Sequence, residues 1–218
     1  EQYNICRKEE STVKKFAIIG GSFNPVTKAH VEIGQIAARE LPGWQILYIP
    51  APDRFLTSWK AMKKNDILSG EQRLNLLRKA VEPHGFLCED CEVHLKTSAK
   101  TYDTMQYLRT QYGQDTQLVY VCGTDKLSEL SIWYKAEGIF ELSRFLVIPR
   151  DGDEPEKMIE KISFLKERKD KIVISHEPRI YPDFSATKVR ESIKAGDGKW
   201  KEMVPEKIVA DLEALQKL

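Results

Sequence analysis

Long apolar runs, a charge excess of one sign and a dense set of cysteines are all missing from this sequence. No apolar run approaches the roughly 20 residues that a bilayer-spanning helix needs, so we expect no membrane partner. The 34 basic residues nearly balance the 33 acidic ones, which excludes a global electrostatic attraction to nucleic acid. Four cysteines in 218 residues do not make a disulfide framework. We therefore predict a soluble, cytoplasmic protein with reduced thiols and no nucleic-acid partner.

A structural zinc site needs four ligands. Cys88 and Cys91 have the spacing of half such a site, but no second pair of cysteine or histidine residues stands at a matching spacing. We therefore predict no metal ion held by protein ligands alone.

From Lys15 onward, short β-branched or aromatic runs alternate with longer helical patterns, which is typical of βα units and a parallel sheet. The predicted strands are 16–19, 45–49, 86–88, 118–122, 145–148 and 171–174. The predicted helices are 31–40, 71–81, 102–111, 126–137 and 156–168, with a closing pair at 186–194 and 205–215. We predict one α/β domain over 1–218, with a Rossmann-like, doubly wound parallel sheet. Residues 1–14 are a lead-in, and 183–218 form a helical C-terminal extension.

The loop after the first predicted strand carries the first candidate phosphate site. Ligands of open α/β sheets bind at the carboxyl ends of the strands. The adjacent glycines Gly20 and Gly21 let backbone approach a phosphate closely, and a helix that begins near Lys28 aims its free N–H groups at the same anion. The spacing fits neither the dinucleotide fingerprint nor the P-loop. On the residues alone, a tight turn followed by an ordinary helical histidine, His30, stays open as an alternative.

The same loop has the pattern G-x-F-x-P-x-x-x-x-H, which is filled by Gly21, Phe23, Pro25 and His30. This pattern resembles the signature of the nucleotidyltransferase superfamily, which usually ends in His-x-Gly-His. Thr27 replaces the first histidine of that ending and Ala29 replaces its glycine, whereas His30 is kept. The Gly-Ser-Phe-Asn-Pro-x-Thr variant is similar to the form in many nicotinamide mononucleotide adenylyltransferases. The resemblance implies that His30 is catalytic and that the phosphate-binding residues are Gly20, Gly21, Ser22 and Phe23.

A second candidate anion site opens the helix near the C-terminus. Ser185, Thr187 and Arg190 form a Ser-x-Thr-x-x-Arg pattern, in which two hydroxyls, free backbone donors and a guanidinium can clamp phosphates. By itself the pattern is weak, because serine and threonine cap helices routinely. The resemblance to the same family implies that Ser185 and Thr187 bind phosphate and that Arg190 assists catalysis.

The middle of the chain resembles the pyridine-binding part of nicotinate and nicotinamide mononucleotide adenylyltransferases. Thr101 and Thr104 open a predicted helix, Gly123 and Asp125 follow the fourth strand, and Trp133 is placed on the next predicted helix. The resemblance implies that Thr101, Thr104 and Trp133 bind the mononucleotide and that Gly123 and Asp125 bind ATP. Trp133 can stack on a pyridine ring. A core role is the alternative for this tryptophan.

Basic residues in two loops are candidates for the phosphate of the mononucleotide. The family places a lysine in the region of Lys60, Lys63 and Lys64, and Arg150 follows the fifth strand near the same mouth. A solvated basic loop is the alternative for each lysine, and an ordinary surface position is the alternative for Arg150.

Taken together, the resemblance implies adenylyl transfer from ATP to nicotinate or nicotinamide mononucleotide in NAD biosynthesis. Magnesium is then bound by phosphates and water, and a homo-oligomer is compatible with the sequence. Two alternatives stay open. One is another small-molecule nucleotidyltransferase, of the pantetheine-phosphate adenylyltransferase or cytidylyltransferase type. The other is a nucleotide sensor without catalysis.

Overall fold

The computed structural model describes residues 13–59, 62–63 and 66–215. Its centre is a six-stranded parallel sheet with the order β3-β2-β1-β4-β5-β6. The strands are β1 (Lys15–Gly21), β2 (Gln45–Pro50), β3 (Leu87–Cys88), β4 (Gln117–Cys122), β5 (Ser143–Val147) and β6 (Ile172–Ile174). All six predicted strands are present. The predicted α/β class with a Rossmann-like sheet is confirmed.

Helices cover both faces of the sheet, because the side chains of each buried strand alternate between the two faces. On β1, Ala17 and Ile19 pack into one hydrophobic cluster, and Phe16 and Ile18 pack into the other. The first cluster takes in helices α1 (Lys28–Glu40), α2 (Gly70–Val81), α7 (Ala186–Ala195), α8 (Trp200–Met203) and α9 (Val209–Leu215). The second takes in α3 (Thr101–Tyr112), α4 (Ala136–Leu142), α5 (Pro155–Lys161) and α6 (Ser163–Lys166). The sheet is therefore doubly wound.

The helix predicted at 126–137 is wrong. Two 3-10 turns, Thr124–Lys126 and Leu130–Ile132, stand there, and α4 begins only at Ala136. Leu127, Leu130 and Trp133 are three residues apart, a spacing that suits 3.0 residues per turn as well as the α-helical period. Trp133 consequently lies in extended backbone after the second turn and not on a helix.

Two further predicted helices differ in detail. The helix predicted at 156–168 is divided, because Ile162 has extended backbone between α5 and α6. The helix predicted from Pro205 opens as a 3-10 turn, Glu206–Ile208, before α9, and the short helix α8 was not predicted. A capping box begins α2, with Ser69 and Gln72 bonded reciprocally.

The strand order changes direction between β1 and β4, and this switch point is where doubly wound sheets bind ligands. β1 ends at Gly21 and β4 ends at Cys122. The predicted phosphate loop and the predicted Gly-x-Asp segment therefore leave the sheet side by side. Within the described ranges, no helix has the length and apolar character needed to cross a membrane.

Candidate active site

Two glycines at the end of β1 leave no room for a side chain. A Cβ on Gly20 would lie 2.8 Å from the Tyr120 hydroxyl oxygen, and one on Gly21 would lie 2.9 Å from the Phe23 ring. The phosphate loop, residues 22–27, follows directly. The Ser22 hydroxyl oxygen is buried without a hydrogen-bond partner among the described residues. Backbone can thus approach a ligand closely at this point of the sheet.

The phosphate loop and the first turn of α1 hold His30 in one orientation. Thr27 is the N-cap of α1, and its side chain accepts the backbone N–H of His30. In return, the backbone N–H of Thr27 donates to Nδ1 of His30 at 3.0 Å. Because Nδ1 is an acceptor there, a neutral His30 ring carries its proton on Nε2. The backbone N–H at position 27, where the family motif usually has its first histidine, thus sets the tautomer of a neutral His30 ring.

Aromatic contacts support the same histidine. Phe23 is buried at a positive φ of 46°, and its ring meets the His30 ring edge-on, with 5.2 Å between the centroids. Tyr48 donates its hydroxyl hydrogen to the His30 carbonyl at 2.8 Å. A non-glycine residue in left-handed backbone is strained, so the packing of Phe23 has to hold it there.

The second anion motif is bonded directly to the phosphate loop. Nη1 of Arg190 donates to the carbonyl oxygen of Asn24 at 2.6 Å, across 166 positions of sequence. Nη2 of Arg190 donates to the Thr187 hydroxyl at 3.1 Å. Ser185 is the N-cap of α7 and accepts the backbone N–H of Lys188. The second motif therefore lies beside the phosphate loop, which leads into the helix turn that carries His30. This motif consists of Ser185, Thr187 and Arg190.

The Gly-x-Asp segment follows β4 as predicted. A Cβ on Gly123 would lie 2.6 Å from a carboxylate oxygen of Asp125, so the Asp125 side chain packs directly over this glycine. The Asp125 side chain is exposed, and Lys126 lies 3.7 Å away. The neighbouring thiol of Cys122 is free, and burial raises its pKa to about 12, which keeps it protonated. Asp125 is thus the accessible acidic group at this strand end.

Tyr120 connects three of the predicted site residues, and sequence reasoning missed it. Its ring meets the Trp133 ring edge-on at 5.5 Å between centroids, and its hydroxyl oxygen is the atom above Gly20. Burial raises the pKa of Tyr120 and the neighbouring Thr101 side chain lowers it, so Thr101 lies beside this tyrosine. The structure therefore brings Thr101 and Trp133 together around a tyrosine of β4.

Thr104 lies deeper than Thr101. It is buried, and its hydroxyl donates to a Glu92 carboxylate oxygen at 2.8 Å, so this hydrogen is committed to a protein acceptor. Burial raises the pKa of Glu92 to about 7, while the bond from Thr104 and the charge of Arg54 lower it. Thr104 thus fixes the Glu92 side chain through this hydrogen bond.

The basic candidates are only partly placed. Lys63 is exposed, whereas Lys60 and Lys64 lie outside the described residues. Arg150 is exposed after β5, and its backbone N–H donates to Asp153.

Two further residues, Arg73 of α2 and Asn24 of the phosphate loop itself, fix this loop against α2 and the segment before it, and the motifs did not reveal these bonds. Arg73 is fully buried and donates to the Ser22 carbonyl at 2.8 Å. Asn24 is buried, and its side-chain amide bonds the backbone of Asp66 and Leu68. The signal for Arg73 was a charged residue in the apolar stripe of α2, beside Leu74 and Leu77.

Comparisons with known proteins agree with this geometry. The family model described as cytidylyltransferase-like matches residues 18–192, which is most of the chain. Two structures of Plasmodium falciparum nicotinic acid mononucleotide adenylyltransferase, complexed with APC and with NaAD, have TM-scores of 0.64 at 16% and 17% identity. In both, 90% of this chain and 95% of that chain are covered. A proposed nicotinate-nucleotide adenylyltransferase from Vibrio parahaemolyticus has a TM-score of 0.56 at 18% identity, covering 89% and 96%.

At these identities the solved structures establish a shared fold, and the family model establishes descent. The first loop, the Gly-x-Asp turn and most of α7 all fall within the matched range. The predicted nucleotidyltransferase is confirmed: this chain belongs to the cytidylyltransferase-like family.

Proposed function

We propose that this chain transfers the adenylyl group of ATP to nicotinate or nicotinamide mononucleotide, forming the dinucleotide and pyrophosphate. One observation carries the proposal. The bond from Arg190 to the Asn24 carbonyl, 2.6 Å long, joins two phosphate-binding motifs that are 166 positions apart in sequence. The P. falciparum neighbour is a nicotinic acid mononucleotide adenylyltransferase that has been solved with NaAD, which supports the pyridine substrate.

The reaction needs no nucleophile from the protein. A phosphate oxygen of the mononucleotide attacks the α-phosphorus of ATP, the bond from that phosphorus to the α,β-bridging oxygen breaks, and pyrophosphate leaves. Catalysis then consists of holding the two substrates in line and stabilising the charge on the phosphoryl oxygens. The paired motifs at the switch point are suited to both tasks.

His30 is the residue to stabilise the α-phosphate. Because Nδ1 accepts the Thr27 N–H, Nε2 of a neutral ring is the donor, and we assign it to a non-bridging α-phosphate oxygen. The amino end of α1 adds free backbone N–H groups and the positive end of the helix dipole. Ser22 and the two glycines bring backbone to the same anion.

The departing pyrophosphate is assigned to α7. Thr187 and Arg190 are already bonded to each other, and Ser185 caps the helix, so one helical turn offers two hydroxyls, a guanidinium and backbone donors. Gly123 and Asp125, at the end of β4, are assigned to the nucleoside of ATP.

The pyridine ring is assigned to the surface around Trp133. Trp133 is half-buried against Tyr120, and Thr101 opens α3 beside the same tyrosine. Lys63 and Arg150 are exposed cations for the mononucleotide phosphate, and Lys60 and Lys64 stay candidates by sequence.

Magnesium enters with the substrate in this proposal. Within the described residues, no group of three or more His, Cys, Asp or Glu side chains is arranged to hold a metal ion. Mg²⁺ commonly keeps several waters and is bound through substrate phosphates, so Mg·ATP is the form that fits this donor set.

The activity is tested by incubating the protein with Mg²⁺, a nucleotide and an acceptor, and measuring pyrophosphate and dinucleotide together. ATP is paired in turn with nicotinate mononucleotide, nicotinamide mononucleotide and phosphopantetheine, and CTP replaces ATP in a parallel series. We expect product with ATP and a pyridine mononucleotide. A folded protein that makes no dinucleotide from either would contradict the proposal, and product only with CTP would favour a cytidylyltransferase.

His30→Ala tests the assigned catalytic group. We expect turnover to fall by about 100- to 1000-fold while ATP still binds, as loss of one charge-stabilising donor does. His84→Ala is the matched control. His84 lies just before β3, at the amino ends of the strands, whereas the ligand is assigned to their carboxyl ends. Turnover within threefold of wild type for His30→Ala would remove His30 from the mechanism.

A further inference from the structure

Arg73 is a charged side chain at 0% exposure, placed among the leucines of α2. Its ionic partner is Asp53, 2.7 Å away, and the Asp53 side chain is 54% exposed. Removing a guanidinium from water costs several kcal/mol, and well-packed apolar residues often replace buried ion pairs without loss of stability. Core packing alone would therefore be met by a methionine of similar length.

What Arg73 does beyond packing is to hold three loops at once. Nη1 donates to the Ser22 carbonyl after β1 at 2.8 Å, and Nη2 donates to Asp53 after β2. Nε donates to the Leu68 carbonyl before α2 at 3.1 Å. The planar guanidinium fixes the directions of its donors, so these three acceptors are held in one geometry.

The phosphate loop is held from two sides by this means. Arg73 takes the carbonyl of Ser22, and Arg190 takes the carbonyl of Asn24. A carbonyl oxygen that accepts from a guanidinium points toward the arginine and away from a bound phosphate, which it would repel. The backbone N–H groups of the loop are then the groups that face the phosphate. The loop is thereby prepared for phosphate before any ligand arrives.

The segment 66–68 is fixed to the same loop by a second residue. The Asn24 amide donates to the Asp66 carbonyl at 2.9 Å and accepts the Leu68 N–H at 2.9 Å. Lys194 of α7 adds an ion pair to Asp66 at 2.8 Å. Because Arg73 is bonded both to Ser22 of the phosphate loop and to Leu68 of this segment, it sets the separation between the two.

We propose that Arg73 is a positioning residue for adenylyl transfer, which aligns the phosphate loop with the segment 66–68 through Ser22, Asp53 and Leu68. This inference rests on the proposed function. A displacement of about 1 Å in such a support can cost about 100-fold in rate. The rate of transfer should therefore fall when Arg73 is replaced, without a matching loss of substrate binding or of fold.

The test compares Arg73→Met, Arg73→Lys and the control Arg78→Met, the same substitution five residues further along α2. For each, kcat, the Kd values for ATP and the mononucleotide, and the thermal midpoint are measured. For Arg73→Met we expect kcat to fall about 30- to 100-fold with both Kd values within threefold of wild type. Arg73→Lys should be intermediate, and Arg78→Met should match wild type.

The outcomes separate the two proposals. A wild-type protein without adenylyl transfer overturns the function and this inference together. An active wild type with Arg73→Met within threefold in kcat overturns the inference alone. If Arg73→Met does not fold, Asp53→Ala decides, because it removes one exposed acceptor. A kcat reduced about 3- to 10-fold at an unchanged midpoint supports the inference, and an unchanged kcat overturns it.

Discussion

Glu32 is a carboxylate in the core, two residues after His30, and its removal should be costly. Its side chain is 3% exposed, and that of its partner Arg179 is 5% exposed, with 3.0 Å between Nε and a carboxylate oxygen. The backbone N–H groups of Ile180 and Tyr181 donate to the same carboxylate. Glu32 therefore fixes the segment that leads from β6 to Ser185 against α1.

Removing one partner of such a pair leaves the other charge buried without compensation. Glu32→Ala should destabilise the protein by about 3–5 kcal/mol, the usual range for a broken buried pair. For a domain of this size each kcal/mol lowers the midpoint by about 2–4 °C, so the thermal midpoint should fall by about 6–20 °C. An exposed pair, Lys79 with Asp211 at 2.7 Å, gives the control: Asp211→Ala should cost less than about 1 kcal/mol.

The free energy of unfolding is measured by urea titration followed by circular dichroism for Glu32→Ala and the control Asp211→Ala. The same measurement on Glu32→Met, Arg179→Met and the double variant gives a double-mutant cycle. The two single losses should not add, because each single variant strands the opposite charge, and a coupling energy of about 2–3 kcal/mol is expected. A loss below about 1 kcal/mol for Glu32→Ala, or additive losses in the cycle, would refute the reasoning.

Three other substitutions test the neighbourhood of Tyr120. The Glu92 carboxyl has a pKa of about 7 in the folded protein and 4.5 ordinarily, so the folded state binds this proton more tightly than the unfolded state does. The protonated carboxyl therefore contributes its full stabilisation below pH 4.5, and this contribution is lost as the pH rises through 7. In urea titrations, the free energy of unfolding of Glu92→Gln should therefore exceed that of wild type by about 3 kcal/mol at pH 8, and the two should be similar near pH 4.5. A difference that does not change with pH would contradict this. Gly20→Ala places a Cβ 2.8 Å from the Tyr120 hydroxyl, and should cost about 1–3 kcal/mol. Tyr120→Phe should restore most of that loss in urea titrations, and no recovery would show that the hydroxyl is not the obstacle.

The strands could be predicted because each one is a short apolar run between turn residues, and a buried parallel strand has no other requirement. The helical period was less decisive. Leu127, Leu130 and Trp133 satisfy a three-residue repeat, which two 3-10 turns satisfy as well. The left-handed backbone of Lys135, with φ of 52°, separates these turns from α4, and no residue preference announces it.

The residues of the candidate site differ in how far their partners lie along the sequence, and this distance decides which of them could be predicted. His30 and Ser185 could be found because each belongs to a short motif at a helix start. The bonds of Arg73 and Asn24 could not be found, because the partners of these residues lie 51 and 42–44 positions away. The sequence shows only that Arg73 interrupts an apolar stripe and that Asn24 lies in the first motif. The tautomer of His30 also required the structure, since it depends on the distance from Nδ1 to the Thr27 nitrogen.

The bonds around the phosphate loop explain how a net charge of +1 is compatible with the proposed phosphate site. Cations around the phosphate loop are engaged with the protein itself: Arg73 with Asp53, Lys194 with Asp66, and Arg190 with the Asn24 carbonyl. Under the proposed function, Arg73 and Lys194 act on an anion through the backbone that they orient, whereas Arg190 also lies at the assigned pyrophosphate site. Under the proposed function, a protein built this way needs no excess of positive charge, because aligned N–H groups, His30 and the amino ends of α1 and α7 would add to the attraction of the few assigned cations for phosphate.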